Sequence, residues 1–354
     1  MNFSEFFTTA AIAAQYNQVA SAKIPYLGSA LFPAKKKAGL DLSWLRGFKG
    51  LPISLAPSAF DAKATFRDRI GVKTIGTEMP FFREGFKIKE RDRQELLRVA
   101  ESKDPYAMDI ISRVFDDANN LIDGANVVPE RMIMQLLFAS GGAAKIAIKA
   151  NGVNYEYNYD PTGDWKKANY KALSGAALWT APETADPFKA FKDAKDAVRG
   201  NTGTELTRAI MNTNTFNMMA STKAVKDRYL SSNGLSLGYL TDEEVKSVVK
   251  GTSRIQIAVY DKQFKDEASN VSSFVPDGYV ALIPDGTLGS TWYGTTPEEA
   301  DLMGKNDSDV TIVNTGVAIT REVTTNPVNV NIFASEIVLP SFERMDECYL
   351  IKVA

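Results

Sequence analysis

The sequence predicts an α+β fold, and three observations lead there. Apolar residues recur at helical spacing between about 90 and 140. An Asn-Gly dipeptide joins two alternating segments at 145–159, and alternation returns after residue 305. Between these lies residues 161–305, a block of mixed helix and strand texture.

Taken in order, the stretch FFTTAAIAAQY suits a short apolar helix. In KIPYLGSALFPAKKKAG, Pro25, Pro33, Gly28 and Gly39 favour an extended arm over a packed element. Residues 40–89 read as strand and loop, through LSWLRG, LPISLA, the alternating RIGVKT, and FKIK. Glu90 to Ser102 is expected to be helical, with Leu96, Leu97 and Ala100 on one face. Asp104 as N-cap and Pro105 at the first helical position open the next helix, whose apolar face carries Ile110, Ile111, Val114, Phe115, Leu121 and Ile122. Pro129 is expected to open a third helix, PERMIMQLLFAS, which Gly141-Gly142 ends. Asn151-Gly152 suits a type I′ turn between KIAIKA and VNYEYNY. Further on, Asp186-Pro187 begins an amphipathic helix and TDEEVKSVVK forms another, followed by strands IQIAVY and YVALIP. Gly286, Gly289 and Gly294 fall in loops around Trp292. The closing strands VTIV, GVAITREV, VNVNIF and YLIKV could pair with the 145–159 hairpin, which would make 161–305 an insertion.

The chain has 354 residues, enough for roughly two domains, and 44% hydrophobic residues give it material for real cores. A net charge of −2 exerts no long-range pull on nucleic acid or an anionic membrane. The single cysteine, Cys348, excludes an internal disulfide framework and fits a reducing compartment. Glu5, with no basic residue before the first apolar stretch, is unlike a secretory signal, and no run of about 18 apolar residues suggests a membrane span. The histidine count is zero, which removes Ser-His and Cys-His pairs, His-ligated zinc and His-ligated haem together.

The remaining candidate motifs are weak. Thr241-Asp-Glu-Glu244 and Thr296-Pro-Glu-Glu299 both match the Thr-x-x-Glu capping box, where hydroxyl and carboxylate satisfy free helix-end N–H groups. Paired carboxylates could instead serve as acid and base, with Glu244 as the residue to test. Ser247-Val-Val-Lys250 fits Ser-x-x-Lys but lacks the companion motifs of the hydrolases that use it. Asp301 to Asp309 is oxygen-rich yet does not match the calcium-loop spacing, and neither phosphate-binding glycine motif occurs. Lys35-Lys36-Lys37 reads as a solvated loop or as an arm reaching an acidic patch, and Cys348 as a packed thiol.

One segment stands apart. From Arg67 to Glu95, 14 of 29 residues are charged, 8 basic and 6 acidic, with large apolar groups between them. Together with FPAKKK, LPISLAPSAFDAK and IVLPSFERMDE it is too apolar for free loops. Such segments either fold back on their own domain or bury themselves against another copy of the chain.

The succession LFP…LDLSWLRG…LP…SAFDAKATFRDRIG…TEMPFFREGFKIKERDRQEL, with IVLPSFERMDECYLIKV at the end, resembles the lambda-like phage major capsid protein E family. The resemblance implies the Hong Kong 97-type major capsid fold: N-terminal arm, extended β loop, peripheral domain with a long helix and antiparallel sheet, and an inserted axial α/β domain. On that mapping residues 1–35 are the arm, 36–89 the extended loop, 90–160 and 306–354 the peripheral domain, and 161–305 the axial domain. It also implies a tailed-phage or prophage shell protein, assembling as hexamers and pentamers into an icosahedral capsid around double-stranded DNA. Binding to that DNA would be without sequence specificity. A near-neutral subunit would assemble without self-repulsion and let the DNA slide past its wall.

Expected partners are further copies of the chain, a scaffolding protein, a portal protein and a decoration protein, in a virion made in the host cytoplasm, with no membrane. Since residue 1 begins at the arm, no fused scaffolding domain is expected. No catalytic, cofactor-binding or metal-binding residue is expected. The expected inter-subunit contacts are Trp44, Phe60, Arg67, Asp68, Arg69, Met79, Phe81, Phe82, Arg83 and Glu84, apolar anchors interleaved with arginines suited to bidentate carboxylate pairing. Two other readings stay open: a cellular compartment shell of the same fold, and a His-free hydrolase with carboxylates in 161–305.

Overall fold

The structure is a computed structural model that describes residues 8–20, 25–46, 73–91, 94, 105–150, 152–233, 240–303 and 309–354. Among these the helices are α1 (Thr9–Ala20), α2 (Leu27–Leu31), α3 (Pro105–Leu137), α4 (Asp164–Asn169), α5 (Pro187–Thr202), α6 (Thr213–Ser221), α7 (Lys223–Asn233), α8 (Asp242–Ser253) and α9 (Pro297–Asp301). The first strands are β1 (Ala34–Lys36), β2 (Asp41–Arg46), β3 (Lys73–Glu78), β4 (Phe81–Ile88), β5 (Lys145–Ala150), β6 (Val153–Asn158) and β7 (Tyr170–Ala172). There follow β8 (Arg208–Met211), β9 (Gln256–Val259), β10 (Gln263–Lys265), β11 (Val271–Ser273), β12 (Tyr279–Ile283) and β13 (Ser290–Tyr293). The last are β14 (Asp309–Val313), β15 (Val317–Thr325), β16 (Val328–Ser341) and β17 (Tyr349–Lys352). They form two compact units, Met1–Ser43 with Gly76–Arg131 and Gly289–Ser341, and Trp44–Ile75 with Met132–Leu288 and Phe342–Ala354.

The first unit is organised on β16. Of its 14 residues, those from Val328 to Ser335 pair on one side with β15. On the other side they pair end to end with β4, from Val330↔Ile88 to Ile337↔Phe81, and then with β13, from Val338↔Tyr293 to Ser341↔Ser290. β1 continues the sheet beyond β13 and β14 closes it beyond β15. One face packs Ile88, Ile319, Val330 and Ile332 against Ile12 and Tyr16 of α1 and Ala118 and Ile122 of α3. Helix α1 is fixed at its start, where the Asp309 carboxylate accepts from the Thr9 N–H at 2.8 Å and from the Thr9 hydroxyl at 2.6 Å. That places negative charge at the positive end of the helix.

Three expectations are corrected. The stretch after Pro25 is a packed element rather than an extended arm: α2 buries Leu31, followed by buried Phe32, and its Gly28 N–H donates to the buried Glu130 carboxylate at 2.8 Å. Its prolines flank the helix and leave its interior hydrogen bonds intact. Nor does Pro129 open a separate helix, because α3 runs through it for 33 residues. The missing N–H costs one bond, which burial of Ala118 and Ile122 before it and Met132, Met134 and Leu136 after it outweighs. The closing strands also do not pair with the hairpin. β14–β16 join β4 and β13, while β5 and β6 pair only with each other among the described residues. Alternation identifies a strand without naming its partner. β5 buries one face, Ile146 and Ile148, and the Gln135 side chain occupies both the N–H and the carbonyl of Ala147 on its edge. The strands pair in register up to Ala150↔Val153, with Gly152 at φ +81°, while Asn151 lies outside the described residues.

The second unit carries a five-stranded sheet in the order β7-β17-β12-β8-β9. Its core joins Val280, Leu282 and Ile351 of the sheet to Phe191 of α5, Phe216 of α6 and Val249 of α8. β17 lies inside this sheet, paired with β12 and β7. The Trp165 indole donates to the Met345 carbonyl at 2.9 Å, and the Asn169 amide to the carbonyls of Asp346 and Cys348, which ties α4 to the approach to β17. The Cys348 thiol is buried there, and that burial pushes its pKa up. Asp186 caps α5 by accepting from the Lys189 N–H, with Pro187 at the first position. The capping box at Thr241 is complete: its hydroxyl accepts from the Glu244 N–H, and the Glu244 carboxylate accepts from the Thr241 N–H at 2.8 Å.

Two predictions follow from this packing. Glu336 sits mid-strand in β16, 1% exposed, and neither carboxylate oxygen has a hydrogen-bond partner among the described residues. Burial holds its pKa well above the usual range. The folded state therefore keeps a proton that the unfolded chain releases near about pH 4, so this side chain costs increasing stability as pH rises above that point. Glu336→Gln should raise the melting temperature at pH 8 relative to the parent, with the gap closing below about pH 4. Thr241→Ala, which removes a cap, should lower stability by about 0.5–2 kcal/mol in chemical denaturation.

Candidate assembly surface

β4 is the part of the charged, apolar segment that the structure describes, and its two faces differ. Phe81, Arg83 and Gly85 lie opposite Ile337, Ser335 and Phe333 of β16, while Phe82 and Glu84, on the other face, lie opposite Glu336 and Ala334. Gly85 is required by the pairing, since a Cβ there would come within 2.7 Å of the Phe333 Cβ. The Arg83 guanidinium stands over the Phe81 ring at 4.8 Å and the Phe333 ring at 5.8 Å. It also pairs with Glu298 of α9, which is 2% exposed and accepts a second bond from the Ser335 hydroxyl at 2.9 Å.

Helix α9 begins as its sequence implies, with Thr296 accepting from the Glu299 N–H and Pro297 at the first position. The glutamates then depart from the capping-box expectation. The Glu299 carboxylate pairs with Lys36 Nζ at 2.5 Å, and Glu298 turns inward to Arg83. Lys35 stands over the Trp292 ring at 5.3 Å and Lys37 Nζ donates to the Asp41 carbonyl at 2.7 Å. All three lysines of the run therefore have partners in their own subunit.

The ten expected contact residues are thus distributed as follows. Met79 is 3% exposed, and a Cβ on Gly294 would crowd its methyl at 3.1 Å and Ile337 at 2.7 Å, so it is an internal anchor. Trp44 is buried with its ring 5.3 Å from that of Tyr159. Phe81 and Phe82 are half-buried, Glu84 is exposed, and Arg83 is 47% exposed while paired. Phe60, Arg67, Asp68 and Arg69 lie outside the described residues. Glu298 escaped sequence reading, because an acidic residue in a first helical turn is accounted for by the helix dipole alone.

Glu244, the carboxylate singled out for an acid–base role, serves as a helix cap. Glu244 accepts from the Tyr229 hydroxyl at 2.6 Å as well as from Thr241, and these bonds, Tyr229 first, hold its pKa below the usual carboxylate range. No helix of the described residues is long and apolar enough to cross a membrane, and no cluster of metal-ligating side chains occurs among them.

Residues 8–353 match the phage major capsid protein E family. The chain belongs to that family. The capsid protein assigned to a prophage of Escherichia coli CFT073 has the same fold, with a TM-score of 0.58 at 14% identity over 98% of this chain and 99% of that one. A phage-related protein from Bordetella bronchiseptica RB50 matches with a TM-score of 0.56 at 16% identity over 98% and 97%. No curated protein matches the sequence. The fold is the Hong Kong 97-type capsid fold that the resemblance implied. As a phage major capsid protein the chain assembles with its own copies into the virion shell, a structural role.

The Arg83–Glu298 contact gives a direct test. Arg83→Ala leaves a buried carboxylate without its cation and should destabilise the protein by about 1–3 kcal/mol, measured by urea unfolding. Arg83→Lys should recover only part of that loss, because an ammonium cannot stack between Phe81 and Phe333.

Proposed function

We propose that this capsid protein assembles as hexamers and pentamers into an icosahedral shell enclosing double-stranded DNA. The observation that carries the reading is the family match over residues 8–353, nearly the whole chain. In this reading 1–35 form the arm and 36–89 the extended loop. Residues 90–160 and 306–354 form the peripheral domain, with β17 lent to the sheet of the axial domain at 161–305. Scaffolding, portal and decoration proteins are the partners, synthesis is in the host cytoplasm, and the role is non-enzymatic. Phe81, Phe82 and Glu84, half-buried or exposed beside β16, contact the neighbouring subunit, as do Phe60, Arg67, Asp68 and Arg69. Apolar groups supply affinity at such a seam, and charges of both signs supply register.

Expression of the chain alone, with and without a scaffolding protein, followed by size-exclusion chromatography and negative-stain electron microscopy, tests this reading. Rings, tubes or closed shells are expected; a chain that stays monomeric under both conditions overturns it. Phe81→Ala with Phe82→Ala should give a folded subunit whose assembly is strongly reduced, and normal shells from that variant would remove the two rings from the seam.

A further inference from the structure

In the second unit, α5 and the end of α8 enclose a groove of about 520 Å³. Its walls carry Lys189, Lys192, Lys195 and Arg199 from α5, Arg254 from the end of α8, and the half-buried ring of Phe188. The acids within it are already engaged. Glu205 takes Lys195 Nζ at 2.7 Å and Arg199 Nη2 at 2.6 Å, Asp196 lies 3.6 Å from Arg199, and Asp186 caps α5. The side-chain cations of Lys189, Lys192 and Arg254 are exposed and make no hydrogen bond or ion pair among the described residues. Arg254 occupies a left-handed backbone position, φ +55°, as the C-cap of α8. That conformation favours glycine or asparagine, so an arginine there is held at a conformational cost. The helix dipole accounts for a cation at the end of α8. It does not account for Lys189 and Lys192, which stand in the first turns of a different helix, where cations are disfavoured.

The complementary charge lies at the far end of α8. Asp242 is exposed and makes no side-chain ion pair among the described residues, while Glu243 is 84% exposed and meets only Lys246, at 2.9 Å. Twelve helical residues span about 18 Å, so this acidic turn and the basic groove cannot meet within one copy. Two different, complementary patches on one subunit define a head-to-tail contact, which generates a ring when its rotation closes.

We propose that the α5–α8 groove receives the acidic first turn of α8, Asp242 and Glu243, from a second copy. The contact rests on the shell-subunit reading and names the charges that join one subunit to the next. Exposed charges at such a contact are screened, so its strength falls as salt rises.

The test uses the full chain. Lys189→Glu, Lys192→Glu and Arg254→Glu together should reduce assembly at least tenfold in light scattering at low salt, with an unchanged circular dichroism melt. Asp242→Lys with Glu243→Lys should do the same. Joining both sets in one chain should restore assembly to within about threefold of the parent, which a misfolded variant would not allow. Groove variants that assemble like the parent overturn the proposal. So does a combined variant no better than either set alone, the result expected if the groove takes an acidic segment of a scaffolding protein instead. A parent chain that never assembles, with or without a scaffolding protein, removes the shell reading as well; a parent that assembles while the groove variants are indifferent removes only the groove.

Discussion

β16 is the constraint on which the first unit depends. Fourteen residues of extended chain, mostly buried, pair with β15 through residues 328–335 and with β4 and then β13 through 330–341, so its position fixes all three strands at once. Slipping it by one residue would turn Ile332 and Val330 out of the core and bring Asn331 in. Such a strand tolerates polar groups only at particular points. Ser335 and Ser341 are satisfied by Glu298 and the Ser290 carbonyl, whereas Glu336 is left without a partner among the described residues.

The same strand explains how β4 is held. A segment with so many charges gains its place by giving each face a separate task. Phe82 shares a cross-strand site with Glu336, while Arg83 carries its charge across to Glu298 with aromatic rings above and below. Glu298 is buried by its position on α9 and compensated by an arginine more than 200 residues earlier in the chain. Breaking such a pair costs more than forming it contributes, because one charge would remain buried alone. It therefore fixes the geometry of β4 more than it adds to net stability.

Local signals in the sequence were legible where a few neighbouring residues decide the outcome. Asp186-Pro187, the Thr241 capping box, the hairpin around Gly152 and the alternation of the closing strands are all determined within about six residues. Non-local matters were not. Pro129 reads as a helix start, but packing on both sides of it carries α3 through. The prolines around α2 read as an extended arm, yet Glu130, a hundred residues away, supplies the acceptor that seats Gly28. Strand partners escaped for the same reason, since alternation in β17 is equally compatible with either sheet. Among the expected contact residues, composition could not separate Met79, which is buried, from Glu84, which is exposed.

On one side the first sheet ends at β4 and, beyond β13, at β1, a strand of three exposed residues, Ala34, Lys35 and Lys36, directly after Pro33. At the other margin β14 is pinned through Asp309 to α1. In a shell, identical sheets are packed at very high local concentration, and any long bare margin would invite the next copy to continue the sheet. The β1 part of that margin, three residues long and bordered by proline, offers another copy little backbone to pair with.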